Sequence, residues 1–301
     1  MKERNHGIGL ARICRLFGIT RQAYYQHLNR RMDVELEHEL VIRQVKNIRS
    51  QHPRIGVRKL YVMLEDFMLG HHIKMGRDAL FDLLSAHRLL IRRRRRMVKT
   101  TQSHHWLKKY PNLIKDFVSV RADELYVSDI TWWKIESKDL YISFITDAYS
   151  HKIVGYEVSE SLEAESSLKA LLMALTNLKQ PCLPLIHHSD RGVQYCSSKY
   201  VKLLQDYDVQ ISMTENGDPL ENAVAERVNG ILKQEYLECY EVSNIIEAKV
   251  LLAQVIKLYN EERPHMSIGN LVPEKVHNHI LKKGESKWKN YYRKKQSVNQ
   301  F

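Results

Sequence analysis

The sequence predicts an α/β protein, with one mixed-sheet core preceded by small all-α modules. Three observations carry this. Hydrophobic residues follow a helical period up to about residue 90, then change to short strand-like runs from Glu124 onward. The order of elements after Glu124 reads βββαβαβαα, with Gly, Pro and polar residues between them. The charge also changes sign along the chain: residues 1–115 carry 25 basic against 9 acidic residues, 116–281 carry 15 against 25, and 282–301 carry 7 against 1.

Residues 8–28 read as helix, turn, helix. Leu10, Ile13, Cys14 and Phe17 share one face, Gly18 suits a left-handed turn, and Thr20 suits the N-cap of the next helix. The second helix offers Arg21 and Tyr24 to DNA, as a helix-turn-helix does; a plain helical hairpin has the same pattern. A further helical module follows, with Val41, Val45 and Ile48 as a buried stripe, then helices over 57–67 and 75–90. Arg77 lies near the start of the last of these. Arg92, Arg93 and Arg94 belong to a run of five arginines that reads equally as a solvated segment or as a phosphate-gripping linker.

Strands are expected at 125–133, 140–146, 152–158, 184–188 and 209–213, the first three as an antiparallel meander around a turn at 137–139. Helices are expected at 161–178, 197–206, 218–236 and 245–260. The expected divisions are a helix-turn-helix-like segment 1–35, a helical DNA-binding module 36–99, a linker 100–122, a catalytic core 123–281 and a basic tail 282–301.

Composition narrows the function. No run of about 18 apolar residues occurs, so no membrane span is expected, and MKERNHGIGL lacks a signal core, so a cytoplasmic protein is expected. The four cysteines form no CxxC pair, which argues against a zinc ribbon or redox pair. Basic ends fit a polyanionic partner. The acidic middle needs a cation between itself and such a partner.

The carboxylates point to that cation. Asp129 interrupts an apolar strand, where an unpaired charge is costly. Asp190 directly follows the run LIHH, at the carboxyl end of a strand. Glu226 lies on a helix on which Asn222, Glu226, Asn229 and Lys233 fall within ~60° of arc, opposite Val224, Val228 and Ile231. Such a stripe either lines a site or faces water. Three carboxylates from two strand ends and a helix can gather around Mg²⁺ or Mn²⁺.

Around these residues stand SDITWW at Asp129, FITDAYSHKIVGY at 144–156, HSDRGVQY at 188–195, NGDPLENAVAERVNGILKQE at 216–235 and YNEERPH at 259–265. In this order they resemble the larger subunit of bacterial insertion-sequence transposases, the branch nearest retroviral integrases. Asp190 and Glu226 are separated by 35 residues, as in that family.

The resemblance implies an RNase H-like core and a metal-binding catalytic triad of Asp129, Asp190 and Glu226. It also implies two Mg²⁺ or Mn²⁺ ions in the active complex, and end cleavage and strand transfer by direct attack of DNA hydroxyls. Implied partners are double-stranded transposon ends and target DNA, further copies of the chain, and a smaller upstream protein. Two positions depart from the family pattern: Glu221 precedes Asn222 where Asp is usual, and Arg227 follows Glu226 where Ser is usual. The zinc-binding His/Cys module of retroviral integrases has no counterpart.

Other residues keep two readings. Arg191 and Lys233 read as DNA contacts or as plain surface, and Asn222 as a DNA contact, a hydrogen-bonding group of the site, or plain surface. His188 reads as a phosphate contact, a support for Asp190, or a packed core histidine beside His187; Asn229 reads as a support. Asp147 reads as a turn cap or a ligand, and Arg263 with His265 as a brace or a DNA contact. A DNA-binding regulator with an idle core, and a nuclease that cuts without joining, are the alternative functions.

Overall fold

The computed structural model describes residues 9–92, 106–115, 117–136, 138–178, 183–215 and 222–279. Arg93 and Arg94, the tail 282–301 and the expected helical turn at 218–221 lie outside the described residues. The chain divides into two compact units: residues 1–50 with 63–90, and residues 51–62 with 91–301. Among the described residues no helix is long and apolar enough to cross a membrane.

In the first unit, α1 (Leu10–Leu16) ends at Gly18, whose φ of 66° is one that glycine adopts without a Cβ clash. Thr20 Oγ1 then accepts the Ala23 amide at 3.1 Å and caps α2 (Arg21–Gln51). The expected division at 35/36 falls inside this helix, which runs straight through it. No Gly or Pro occurs between Arg21 and Gln51, so nothing interrupts the backbone ladder until Pro53. The second half of α2 buries Val41, Ile42, Val45 and Ile48. The unit also holds the later part of α3 (Val57–Gly70) and α4 (Arg77–Ala86), which buries Leu80, Leu83 and Leu84. The helix expected over 75–90 is shorter because Gly76 starts it and His87 closes it before Arg88, whose φ is 56°.

The second unit is built on β1 (Leu125–Lys134), β2 (Asp139–Asp147), β3 (Ile153–Ser159), β4 (Ile186–Ser189) and β5 (Gln210–Met213), in the order β3-β2-β1-β4-β5. The first three strands pair antiparallel, whereas β1–β4 and β4–β5 are parallel. Helix α5 (Ala164–Thr176) connects β3 to β4, and α6 (Val193–Cys196) with α7 (Ser198–Asp206) connects β4 to β5. After β5 come α8 (Ala223–Ile231), α9 (Ile245–Glu261) and α10 (Pro273–His277).

Alternation along the strands sends side chains to two cores. On one face Trp133, Leu140, Ile142 and Phe144 meet Val228 and Ile231 of α8 and Leu252, Val255 and Tyr259 of α9. On the other, Tyr126 and Ile145 meet Ala170 and Leu171 of α5 and Tyr200 and Leu204 of α7. Helix α5 lies close on β3 because Gly155 has no side chain: a Cβ there would run into the Ala170 carbonyl. The result is the mixed sheet with helices on both faces that the RNase H-like expectation requires.

The expected helix 218–236 does not stay regular. After Ile231 the described chain widens into a π turn, Leu232–Tyr236, followed by a 3₁₀ turn, Leu237–Cys239. A π turn admits one extra residue into a helix and rotates the succeeding residues by ~100°. This one is held by buried charges that a helical wheel does not show.

Candidate active site

The parallel register of β1 and β4 is the starting point. Tyr126 pairs with His187 and Val127 with His188. Two residues beyond that last pair stand Asp129, within β1, and Asp190, the residue after β4, so the two aspartates lie at the same end of neighbouring strands, near enough for the charge of Asp190 to act on Asp129. Asp129 shares its face with Leu125 and Val127, which contact Val224 and Ala225 of α8.

Helix α8 is fastened to β1 by the polar stripe expected from the helical period. Asn222 Nδ2 donates to the Ser128 carbonyl at 3.0 Å, Asn229 Nδ2 to Asp129 Oδ2 at 2.8 Å, and Lys233 Nζ to the Trp132 carbonyl at 2.5 Å. The Lys233 ammonium also lies 4.6 Å from the centre of the Trp132 ring. Glu226, the fourth member of the stripe, is exposed, whereas Asp129 and Asp190 are half-buried.

The carboxylates feel one another. Burial, then the charges of Asp190 and Glu226, push Asp129 up to about 7, although the Ile130 amide and Asn229 pull the other way. The Ile130 amide reaches Asp129 Oδ1 at 2.9 Å, and the Gly192 amide reaches Asp190 Oδ1 at 2.9 Å. Gly192 is a close approach as well, since a Cβ there would lie 3.0 Å from Asp190 Oδ1. The donor set is oxygen-rich and partly open, which fits a hard divalent cation.

Among the described residues, one trio of potential ligands has all its ligand atoms within 4.8 Å of one another, and it is Asp123, Asp147 and His277. Their atoms are largely committed to the fold. Asp147 accepts from the Asp123 amide at 2.9 Å, and from the Ser150 amide and hydroxyl at 2.7 and 2.5 Å. Asp123 Oδ1 accepts the Tyr126 hydroxyl at 2.6 Å. His277 lies 3.5 Å from Asp123 and 3.8 Å from Asp147. The trio closes the turn after β2 and holds α10 against it. Of the two readings of Asp147, the turn cap is the one its hydrogen bonds describe.

Several DNA-contact expectations change here. Asn222 is buried and Lys233 is half-buried, and the amide of one and the ammonium of the other donate to β1 carbonyls rather than outward. His188 is buried with Nδ1 2.8 Å from Ser212 Oγ, which is the core-histidine reading. His187 is likewise buried; its Nε2 lies 2.6 Å from Ser128 Oγ and 2.9 Å from the Tyr200 hydroxyl, and burial drives its pKa down to about 3, so it stays neutral. Both histidines follow the apolar run of β4 into the core. Arg191 is half-buried beside Asp190. Arg21 is exposed at the start of α2, Tyr24 is half-exposed, Arg77 pairs with Asp78 at 2.9 Å, and Arg92 is exposed with its carbonyl accepting from Arg54.

One feature is invisible in the sequence pattern. Arg263 is wholly buried and grips both oxygens of Glu235 at 2.8 and 2.9 Å, with Lys59 Nζ 3.3 Å from the same carboxylate. Burial, with Arg263 adding to it, lowers Lys59 to about 8. Next to this, His52 Nδ1 lies 2.8 Å from the Tyr236 hydroxyl, and the Glu235 carbonyl accepts the Arg54 amide at 3.2 Å. So residues 52–59 and Arg263 clamp the π turn that follows α8. Arg263 therefore braces the core. The signal is a charged residue, Glu235, set between Leu232 and Tyr236; its partner lies 28 residues away and cannot be read from periodicity.

The integrase core domain family matches residues 119–219, and a second integrase core domain family matches 207–273. An insertion element IS600 uncharacterized 31 kDa protein of Shigella sonnei is 33% identical over 277 residues, covering 88% of this chain and 98% of that one. The transposase for insertion sequence element IS629 of Shigella sonnei is 27% identical, covering 88% of this chain and 90% of that one. Among solved structures, the HTLV-2 integrase catalytic core domain in complex with magnesium aligns at a TM-score of 0.42 and 16% identity, covering 52% of this chain and 98% of that one. The near full-length match to an insertion-element protein, together with the integrase core over the sheet, places this chain among the bacterial insertion-sequence DDE transposases of the integrase superfamily.

Proposed function

We propose that the chain cleaves transposon ends and joins them to target DNA, with Asp129, Asp190 and Glu226 as its metal-holding catalytic residues. The reading is supported by the parallel pairing of β1 and β4, which ends two residues before both Asp129 and Asp190, and by the Asn229–Asp129 hydrogen bond, which ties to Asp129 the helix bearing Glu226. Two divalent cations bound there would activate the attacking oxygen and stabilise the leaving one.

The chain's own residues prepare that place. Asn229 and the Ile130 amide hold the Asp129 carboxyl by one oxygen each, and the Gly192 amide holds Asp190. Asn222 and Lys233 tie α8 to the β1 main chain, so Glu226 is carried on a helix fixed near both of its ends. Glu226 itself is exposed, which leaves room for a DNA backbone to approach. In joining, the oxygen of a DNA 3′-hydroxyl attacks phosphorus and its proton passes to solvent. The phosphorus–oxygen bond to the target's 3′ oxygen breaks as the new one forms. The number of phosphodiester bonds is unchanged, so no external energy source is required.

The test uses purified protein, Mg²⁺ or Mn²⁺, and duplexes carrying the element's ends, some pre-cut to expose a 3′-hydroxyl. Joined products are expected from wild type. Asp129→Asn, Asp190→Asn and Glu226→Gln should each lower joining by about 10³-fold or more while end binding persists. Hydrolysis without joining would instead identify a nuclease, and binding without either reaction a regulator. End binding that appears only on adding the smaller upstream protein would assign end recognition to that partner.

A further inference from the structure

The first half of α2 carries an apolar face that stays exposed among the described residues. Tyr25, Leu28, Met32 and Leu36 fall within ~80° of arc at ~100° per residue, a single stripe along the helix. They are 45%, 38%, 60% and 58% exposed. From Val41 onward the same helix buries its apolar residues, so the exposed stripe is confined to the part that runs clear of the unit's core.

Charge marks the two ends of this stripe. Arg21 precedes Tyr25 by one turn, Glu39 follows Leu36 by three residues, and both lie within ~40° of the Tyr25 direction. Both are exposed. The pattern is symmetric about residue 30 to within one residue. In an antiparallel pair of α2 helices, Arg21 meets Glu39, Tyr25 meets Leu36, and Leu28 meets Met32 of the other copy. Each contact then occurs twice, as an isologous twofold interface requires. A parallel pair would instead set Arg21 against Arg21 and Glu39 against Glu39. The flanking Arg31 and Glu35 satisfy each other within one helix at 3.0 Å, and so stand aside from the contact.

From this we infer that the stripe Arg21–Glu39 of α2 is a self-association surface, which pairs antiparallel with the same stripe of a second copy over about 27 Å. The pairing brings two chains together without DNA or metal. It also occupies Arg21, which then serves the protein–protein contact rather than a phosphate.

Sedimentation of the full chain, without DNA or divalent metal, tests this. Wild type should dimerise reversibly. Met32→Asp should yield monomer with unchanged helical circular dichroism, because the side chain is exposed and carries no core contact. Arg21→Glu and Glu39→Arg should each weaken the dimer by about fivefold or more, and the double exchange should restore it, since the opposite charges meet again. A wild type that stays monomeric to about 100 μM, or a dimer indifferent to Met32→Asp, would overturn the surface. Single exchanges that weaken the dimer without rescue by the double would overturn the antiparallel order.

Discussion

In divalent-free solution the Asp129 carboxyl keeps its proton to near neutrality, because burial and then two neighbouring carboxylates oppose its charge. The consequence for stability has a definite sign. An unfolded aspartate ionises near pH 3.9, whereas here the folded group waits until about 7. Folding is therefore progressively penalised as pH rises between these values, and the penalty levels off above about 7. Asp129→Asn should raise the metal-free melting temperature markedly at pH 8 and hardly at pH 4. A cation competes with that proton, so the upward shift in melting temperature that Mg²⁺ or Mn²⁺ gives wild type should grow between pH 6 and pH 8. A metal-induced shift that is flat with pH would remove the coupling. Calorimetry across this range checks both expectations.

At the scale of elements, α8 and the π turn behind it form one device. The stripe on α8 faces β1, and the π turn rotates the next residues so that Glu235 reaches Arg263. Replacing Arg263 by Leu leaves a carboxylate with Lys59 alone, and should cost about 3 kcal/mol in chemical denaturation. Replacing both Glu235 and Arg263 by Leu should recover part of that loss, because no uncompensated charge remains. On the far face of the sheet, Gly155→Ala drives a methyl into the Ala170 carbonyl and should destabilise by about 1–3 kcal/mol. The succession of elements, the antiparallel meander, α5 and α9 are legible in the sequence, because each rests on local periodicity and short connections. The Arg263–Glu235 clamp and the Asp123, Asp147, His277 trio are not, since they join residues far apart in the chain through hydrogen bonds rather than spacing. Asn222 and Lys233 mislead for a related reason. A polar stripe looks the same whether it faces solvent or the carbonyls of a neighbouring strand.

Over the whole molecule, the basic residues crowd 1–115 and 282–301 while the carboxylates crowd 116–281. DNA binding and chemistry should therefore respond to different solutes. Raising salt from 50 to 200 mM should weaken end binding steeply, with a logarithmic slope of about −0.9 per phosphate neutralised. Chelating divalent ions should abolish joining and leave binding largely intact. Mobility-shift and joining assays run on the same samples separate the two. If chelation abolished binding as well, the division of labour between basic flanks and acidic core would be incorrect.

Asp129 and Asp190 stand at the same end of two neighbouring, paired strands. The main-chain pairing of their two strands, which runs to two residues before each of them, does not depend on the fit of surrounding side chains. It works like a ruler cut into the peptide backbone itself. Neighbouring residues can mutate over generations, and the core can be rebuilt in other hydrophobic residues, without breaking the backbone pairing that leads up to those two charges. Glu226, delivered by a helix that rests on side-chain contacts, has no such insurance, so drift in this chain should be felt first on that third side of the site.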